Sequence, residues 1–255
     1  MPNSEFKSSD TECEKWWVPE NFDNQTSFKI WRYMDLAKYI SFLHTSSIRL
    51  TRADKFEDPY EGLFNDCTID VMRGLTKNFP QSLKKMREFA CQLEDDKKQT
   101  FINCWHWNDK ESAAMWKLYS SNDYCISIVS DGFELVRQLP VYVAFTFVRY
   151  IDWDRDCFEA PGMSQAPYFH KRKEFAHENE VRVIYMQPLH EQRGGPKLDR
   201  KEEGLLIPIK IRPLVKEVVL APQTPGWVAE MVTETTRKFD YEVPIRTSSL
   251  LDTPR

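Results

Sequence analysis

Glu178 and Glu180 stand two residues apart at the entrance to the apolar run Val181–Tyr185. Residues at that spacing share one face of an extended segment. Two carboxylates together on a rim could orient a nucleophile and stabilise a cationic, sugar-like transition state. A plainer account serves the same stretch: Glu180 and Arg182 share a face and form a cross-strand charge pair. Arg32 and Arg49 stand on or beside two earlier apolar runs, Phe28–Tyr33 and Ser47–Thr51, and Arg52 opens the acidic turn that follows. A guanidinium fork binds carboxylate or phosphate through two parallel hydrogen bonds. Asp54, Asp58 and Glu61 lie close enough in sequence for Arg49 and Arg52 to serve equally well as turn anchors. Arg32 has Trp31 and Tyr33 beside it and no acid on its own segment. That setting suits a pyrophosphate beneath an aromatic lid.

A second cluster runs from Asn103 to Asn108 and leads to Met115-Trp116-Lys117-Leu118-Tyr119. Trp105, Trp107 and Trp116 offer flat faces for a base or a nicotinamide ring, or they form the edge of a core. His106 could serve as a general base, but with no partner in sequence it reads as structural or surface. His170 and His177 have no further His or Cys at ligand spacing, so no metal site is expected. The six cysteines contain no Cys-x-x-Cys and are expected to be small buried thiols in a reducing cytosol.

The elements that must position these groups are short. Strands are expected at 28–33, 47–51, 101–105, 124–129, 141–150, 181–185, 205–211, 215–220 and 242–245. Helices are expected at 36–43, behind an Asp35 cap, at 110–119, briefly at 133–135, over 171–178 as the approach to the next strand, and at 228–238. A charged helical insertion is expected over about 66–98, with Pro80 dividing it. Asp58-Pro59-Tyr60-Glu61-Gly62 has the composition of a turn. Strands outnumber helices late in the chain and no regular β-α alternation occurs, so the class expected is α+β. Residues 1–26 are expected to form an arm and 27–255 a single domain.

The chain has 255 residues, 41% of them hydrophobic, enough for one large core. Its formal charge of −4 gives no global attraction to nucleic acid or anionic membranes. No apolar run of about 18 residues is present, nor an apolar signal core near the start. These features lead to the expectation of a cytoplasmic protein without a membrane partner.

Taken in order, Trp31-Arg32-Tyr33, the segment Arg49 to Gly62, Cys104-Trp105-His106-Trp107-Asn108, Met115 to Tyr119, and His177 to Tyr185 resemble the bacterial family DUF2971. The resemblance covers roughly residues 28–250, including Glu217–Pro222 and Ser249-Leu250. The family implies no particular activity. The order of elements is also similar to the ADP-ribosyltransferase fold. That resemblance implies two small, mostly antiparallel sheets meeting at a cleft. It implies that Arg32 holds the phosphates or ribose of NAD, with Arg49 in the same pocket, and that Trp116 or Tyr119 packs near nicotinamide. Glu180 would be the catalytic glutamate, with Glu178 positioning a nucleic-acid, nucleotide or protein acceptor in a bacterial defence setting. Two other functions fit the residues. One is a metal-dependent nuclease or hydrolase using Asp54, Asp58, Glu61, Glu178 and Glu180. The other is a binder of nucleotide or partner without turnover.

Overall fold

The computed structural model describes residues 14–15, 27–76, 95–119, 124–159, 165–199 and 201–253. Twelve strands occur among them: β1 (Glu14–Lys15), β2 (Lys29–Asp35), β3 (Ser47–Arg52), β4 (Thr100–Trp107), β5 (Cys125–Asp131), β6 (Ala144–Phe147), β7 (Arg149–Ile151), β8 (His170–Arg172), β9 (Glu180–Met186), β10 (Gly204–Pro208), β11 (Val215–Leu220) and β12 (Ile245–Thr247). The longer helices are α1 (Leu36–Thr45), α2 (Asp66–Thr76), α3 (Ala113–Tyr119), α4 (Gly132–Gln138) and α5 (Gly226–Lys238).

The α+β class holds, but the two small sheets do not. Ten strands form one sheet in the order β1-β6-β9-β4-β2-β5-β11-β12, with β3 also on β4 and β10 on β3. A separate pair joins β7 to β8. The reason lies in β4. It is eight residues long, enough to hold two partners end to end along one edge. Near its start it pairs with β3, through Thr51↔Ile102 and Arg52↔Phe101. Near its end it pairs with β2, through Ile30↔Trp107 and Trp31↔His106. Its other edge runs along β9 from Thr100↔Met186 to His106↔Glu180. Two groups of strands thus fuse through one member, and the expected cleft becomes a fork between β2 and β3.

Alternation along β2 explains which groups face which core. Ile30 and Met34 enter the main core with Tyr39, Phe42 and Leu43 of α1 and Val228 and Val232 of α5. Trp31 and Tyr33 enter a second cluster with Met115 and Trp116 of α3. Asp35 caps α1, its carboxylate accepting the Lys38 N–H at 2.7 Å, and Ser46 ends the helix at φ 45°. Tyr39 is tied to α5 by a 2.9 Å hydrogen bond to Thr236.

Other expectations are corrected in detail. The strand expected over 141–150 is divided into β6 and β7, with a turn before it, and 171–178 is β8 followed by a 3-10 turn, Lys173–Glu178. Of the insertion, α2 and residues 95–97 are helical; 77–94 lie outside the described residues. Within the expected arm, β1 adds to the sheet edge, with Glu14 opposite Ala144. Cys67 and Cys157 are not thiols. They form a disulfide between α2 and the loop after β7, because the fold sets their Cα atoms 5.1 Å apart, inside the range a disulfide spans. Cys104 and Cys125 are free; Cys13 and Cys91 lie outside the described residues. No helix among the described residues is long and apolar enough to cross a membrane.

Candidate active site at a fork in the sheet

The fork leaves part of the β4 edge without a strand partner, and side chains take over. The Arg32 guanidinium donates to the Cys104 carbonyl, and the Asn103 amide donates to the Arg49 carbonyl at 2.8 Å. Buried backbone acceptors require such partners when the ladder does not supply them. Arg32 is thereby fixed in the gap, where it borders two cavities.

The first cavity holds about 20 Å³ and is lined by Trp31, Arg32, Tyr33, Cys104, Trp105, His106, Met115, Tyr119, Glu178 and Glu180. Four of the residues singled out from sequence thus meet: Arg32, Tyr119, Glu178 and Glu180. Arg49 does not join them; it lines the second cavity, on the other side of Arg32. Trp116 lines neither. It is buried edge-on against Tyr33, ring centroids 4.9 Å apart, with its indole N–H bonded to Glu111 at 2.9 Å.

Glu178 and Glu180 meet by a route the spacing argument missed. Glu178 ends the 3-10 turn, and Asn179 follows in the left-handed region at φ 38°. An asparagine tolerates that conformation better than most residues. The chain then enters β9 with Glu180. Both carboxylates converge on one ammonium: Lys171 of β8 lies 2.5 Å from Glu178 and 2.7 Å from Glu180, its charge resting 4.7 Å above the Phe175 ring. The second oxygen of Glu180 accepts from Arg182 Nε at 2.7 Å. Arg182 is fully buried and grips Glu61 with both terminal nitrogens, at 2.7 and 3.0 Å. Glu61 comes from the acidic turn, which is therefore scaffold. Within that turn Asp58 accepts the Tyr60 N–H at 3.0 Å and pairs with Arg172 at 2.9 Å, while Arg52 is occupied by Asp54 at 2.6 Å. The expected Glu180–Arg182 pair exists, but along one strand.

A chain of charges thus runs Glu178, Lys171, Glu180, Arg182, Glu61. Three acids and two bases balance only if one acid is protonated. Burial, reinforced by the hydrogen bond and charge of Glu180 and partly offset by Lys171, pushes the Glu178 carboxyl up to about 8. Burial opposes the charge on Glu180 too. There Arg182, the hydrogen bond from Glu178, and Lys171 outweigh it and hold the group well below the usual carboxylate range. Environment has pushed two neighbouring acids apart, which is how acid–base pairs are built.

The remaining groups frame this pair. The backbone N–H of Glu180 donates to the Tyr150 hydroxyl at 2.8 Å. Burial, against the pull of Arg32, raises the Tyr119 phenol to about 12, so it stays a neutral hydroxyl. Burial lowers His106. Its Nδ1 donates to the Glu178 carbonyl at 2.6 Å and its Nε2 accepts from Asn108 at 3.3 Å, so both nitrogens are occupied and the ring is structural. Comparison with protein-family models, curated proteins and solved structures finds no match. The sequence offered no signal for Lys171 as the bridge between the two acids, since it sits in an ordinary basic run, His170 to Lys173.

The raised Glu178 carboxyl has a stability consequence. Between the ordinary value of 4.5 and about 8 the native state holds a proton that the unfolded chain has released. Unfolding free energy from this group is therefore complete below 4.5 and is lost as pH rises through about 8. Glu180 has the opposite sign and acts below 4.5. The lowered His106 contributes above 6.5 and loses that contribution as pH falls. Urea titrations across pH 5–9 are expected to show wild type losing stability relative to Glu178→Gln as pH rises. A constant difference between the two would contradict the raised carboxyl.

Proposed function

We propose that the protein cleaves the nicotinamide–ribose bond of NAD and transfers the ADP-ribosyl group to a nucleic-acid, nucleotide or protein acceptor. One observation carries this reading: a cation, Arg32, an aromatic hydroxyl, Tyr119, and an acid pair, Glu178 and Glu180, border one cavity although they come from distant parts of the chain. Such convergence of polar groups is the usual mark of a ligand site.

In this reading Arg32 holds the diphosphate through guanidinium N–H groups beyond the one given to Cys104. Tyr119 covers the nicotinamide ring. The cavity is smaller than that ring, so Tyr119, half-buried at the end of α3, swings aside on binding. The C1′–N bond breaks, and nicotinamide leaves as a neutral ring with the bonding electrons. The acceptor's oxygen or nitrogen lone pair forms the new bond to C1′, and its proton passes to the Glu178 carboxylate. Glu180, held ionised at the cavity wall, stabilises the positive charge developing on the ribose. The acids of the metal-dependent alternative are dispersed by comparison: Asp54, Asp58 and Glu61 pair with three different arginines. No group of three His, Cys, Asp or Glu gathers as a metal site among the described residues.

The test is incubation of purified protein with NAD labelled in the nicotinamide and adenylate halves, with protein and nucleic-acid acceptors. Release of nicotinamide with transfer of the adenylate label is expected. Absence of both with every acceptor would overturn the proposal.

A further inference from the structure

We infer that the second cavity, between α1 and β3 on the far side of Arg32, is a separate binding site for a phosphorylated sugar, its phosphate held by Arg49. The inference goes beyond the NAD reading and does not depend on it. The cavity holds about 130 Å³, room for a phosphate with part of a sugar. Its charged lining residues are Arg32, Lys38 and Arg49, with no acid. Lys38 is turned toward Asp35 at 2.8 Å. The Arg49 guanidinium makes no ion pair among the described residues. It is nevertheless seated: a Cβ on Gly204 would lie 2.6 Å from Arg49 Cζ and 2.7 Å from Nε. The guanidinium therefore lies flat on a glycine of β10 that stands opposite Thr51, diagonal to Arg49 and two residues along from the Leu206↔Arg49 pair. A planar fork held this way keeps its outer N–H groups ready for a tetrahedral anion.

A second, independent observation concerns the wall. Asn103 and Trp105 are almost fully buried and both line this cavity. Asn103 Oδ1 and Trp105 Nε1 are buried polar atoms without a hydrogen-bond partner. Leaving such groups unmatched is costly, and the two are of opposite kind, an acceptor and a donor. Two of the lining hydroxyls are directed elsewhere, Thr45 donating to the Ser41 carbonyl and Ser47 to the Thr45 carbonyl. A ligand suited to this wall carries anionic oxygens for Arg49, a hydroxyl to donate to Asn103, and an oxygen to accept from Trp105. A sugar phosphate has all of these; an inorganic phosphate has fewer.

Isothermal titration with ribose 5-phosphate, inorganic phosphate and ribose tests this on the full chain. Ribose 5-phosphate is expected to bind tightest, phosphate more weakly, and ribose not at all. Arg49 is exposed, so Arg49→Gln should fold and lose binding. Gly204→Ala keeps every charge, and the three atoms nearest the added Cβ all belong to the flexible end of Arg49, so its melting temperature should match wild type. By displacing the guanidinium it should weaken ribose 5-phosphate about tenfold or more, the scale of a lost charge-assisted pair. Glu178→Gln should bind like wild type, which separates this site from the NAD reading. No binding to wild type at millimolar ribose 5-phosphate would overturn the inference. So would unchanged affinity in both Arg49→Gln and Gly204→Ala.

Discussion

Glu61→Ala is expected to cost about 3–5 kcal/mol of unfolding free energy, the penalty for stranding a buried charge. Arg182 has no exposed surface, and Glu61 is 4% exposed. Removing Glu61 strips the guanidinium of its two-pronged partner and leaves only Glu180 and the Tyr168 carbonyl, which accepts from Nη1 at 2.8 Å. The companion variant Glu61→Ala/Arg182→Met removes both charges and should recover part of the loss, because an apolar replacement for a buried pair is often tolerated. Urea denaturation of the three proteins gives the comparison. A Glu61→Ala midpoint equal to wild type would show that Arg182 does not depend on this partner.

Glu178→Gln is expected to reduce nicotinamide release by about 100- to 10,000-fold, the usual contribution of a positioned general base. In the proposed reaction the base is the Glu178 carboxylate, and that form becomes dominant only above about 8. The wild-type rate should therefore climb as pH rises through this value and level off beyond it, while the residual rate of Glu178→Gln should lack the climb. Glu180→Gln should behave differently. It breaks contacts to both Lys171 and Arg182, so it should lower stability as well as rate. A Glu178→Gln enzyme with wild-type turnover and pH profile would remove Glu178 from the chemistry.

Much of this arrangement was legible in the sequence, for physical reasons that can be named. Asp35 before a helical apolar pattern announced α1, and the dense apolar run at Val181–Tyr185 announced β9, which is buried along its whole length. Arg32, Tyr119, Glu178 and Glu180 could be picked out because charged or hydroxylated groups beside apolar runs are costly unless used. Their meeting place was not legible. It depends on β4 holding β2 and β3 on the same edge, and strand pairing of that kind leaves no local pattern. Trp116 looked like a stacking surface but serves as core, since an aromatic at helical spacing carries the same signature for both. The partner of Arg182 was hidden for a similar reason: Glu61 lies in a turn far upstream.

The pairing scheme of the large sheet also governs how the chain must fold. None of its ladders among the described residues is a tight hairpin. β2 lies between β4 and β5, both much later in the chain, and β4 must wait for β9 to cover its other edge. Contacts between distant segments are slow to form because the chain-closure entropy is spent before any ladder bond is gained. During synthesis β2 and β3 leave the ribosome with no strand to bind until β4 emerges, so their open edges stay exposed to other chains for that interval. The same fork that opens cavities on either side of Arg32 in the finished protein thus makes its nascent chain dependent on late arrivals.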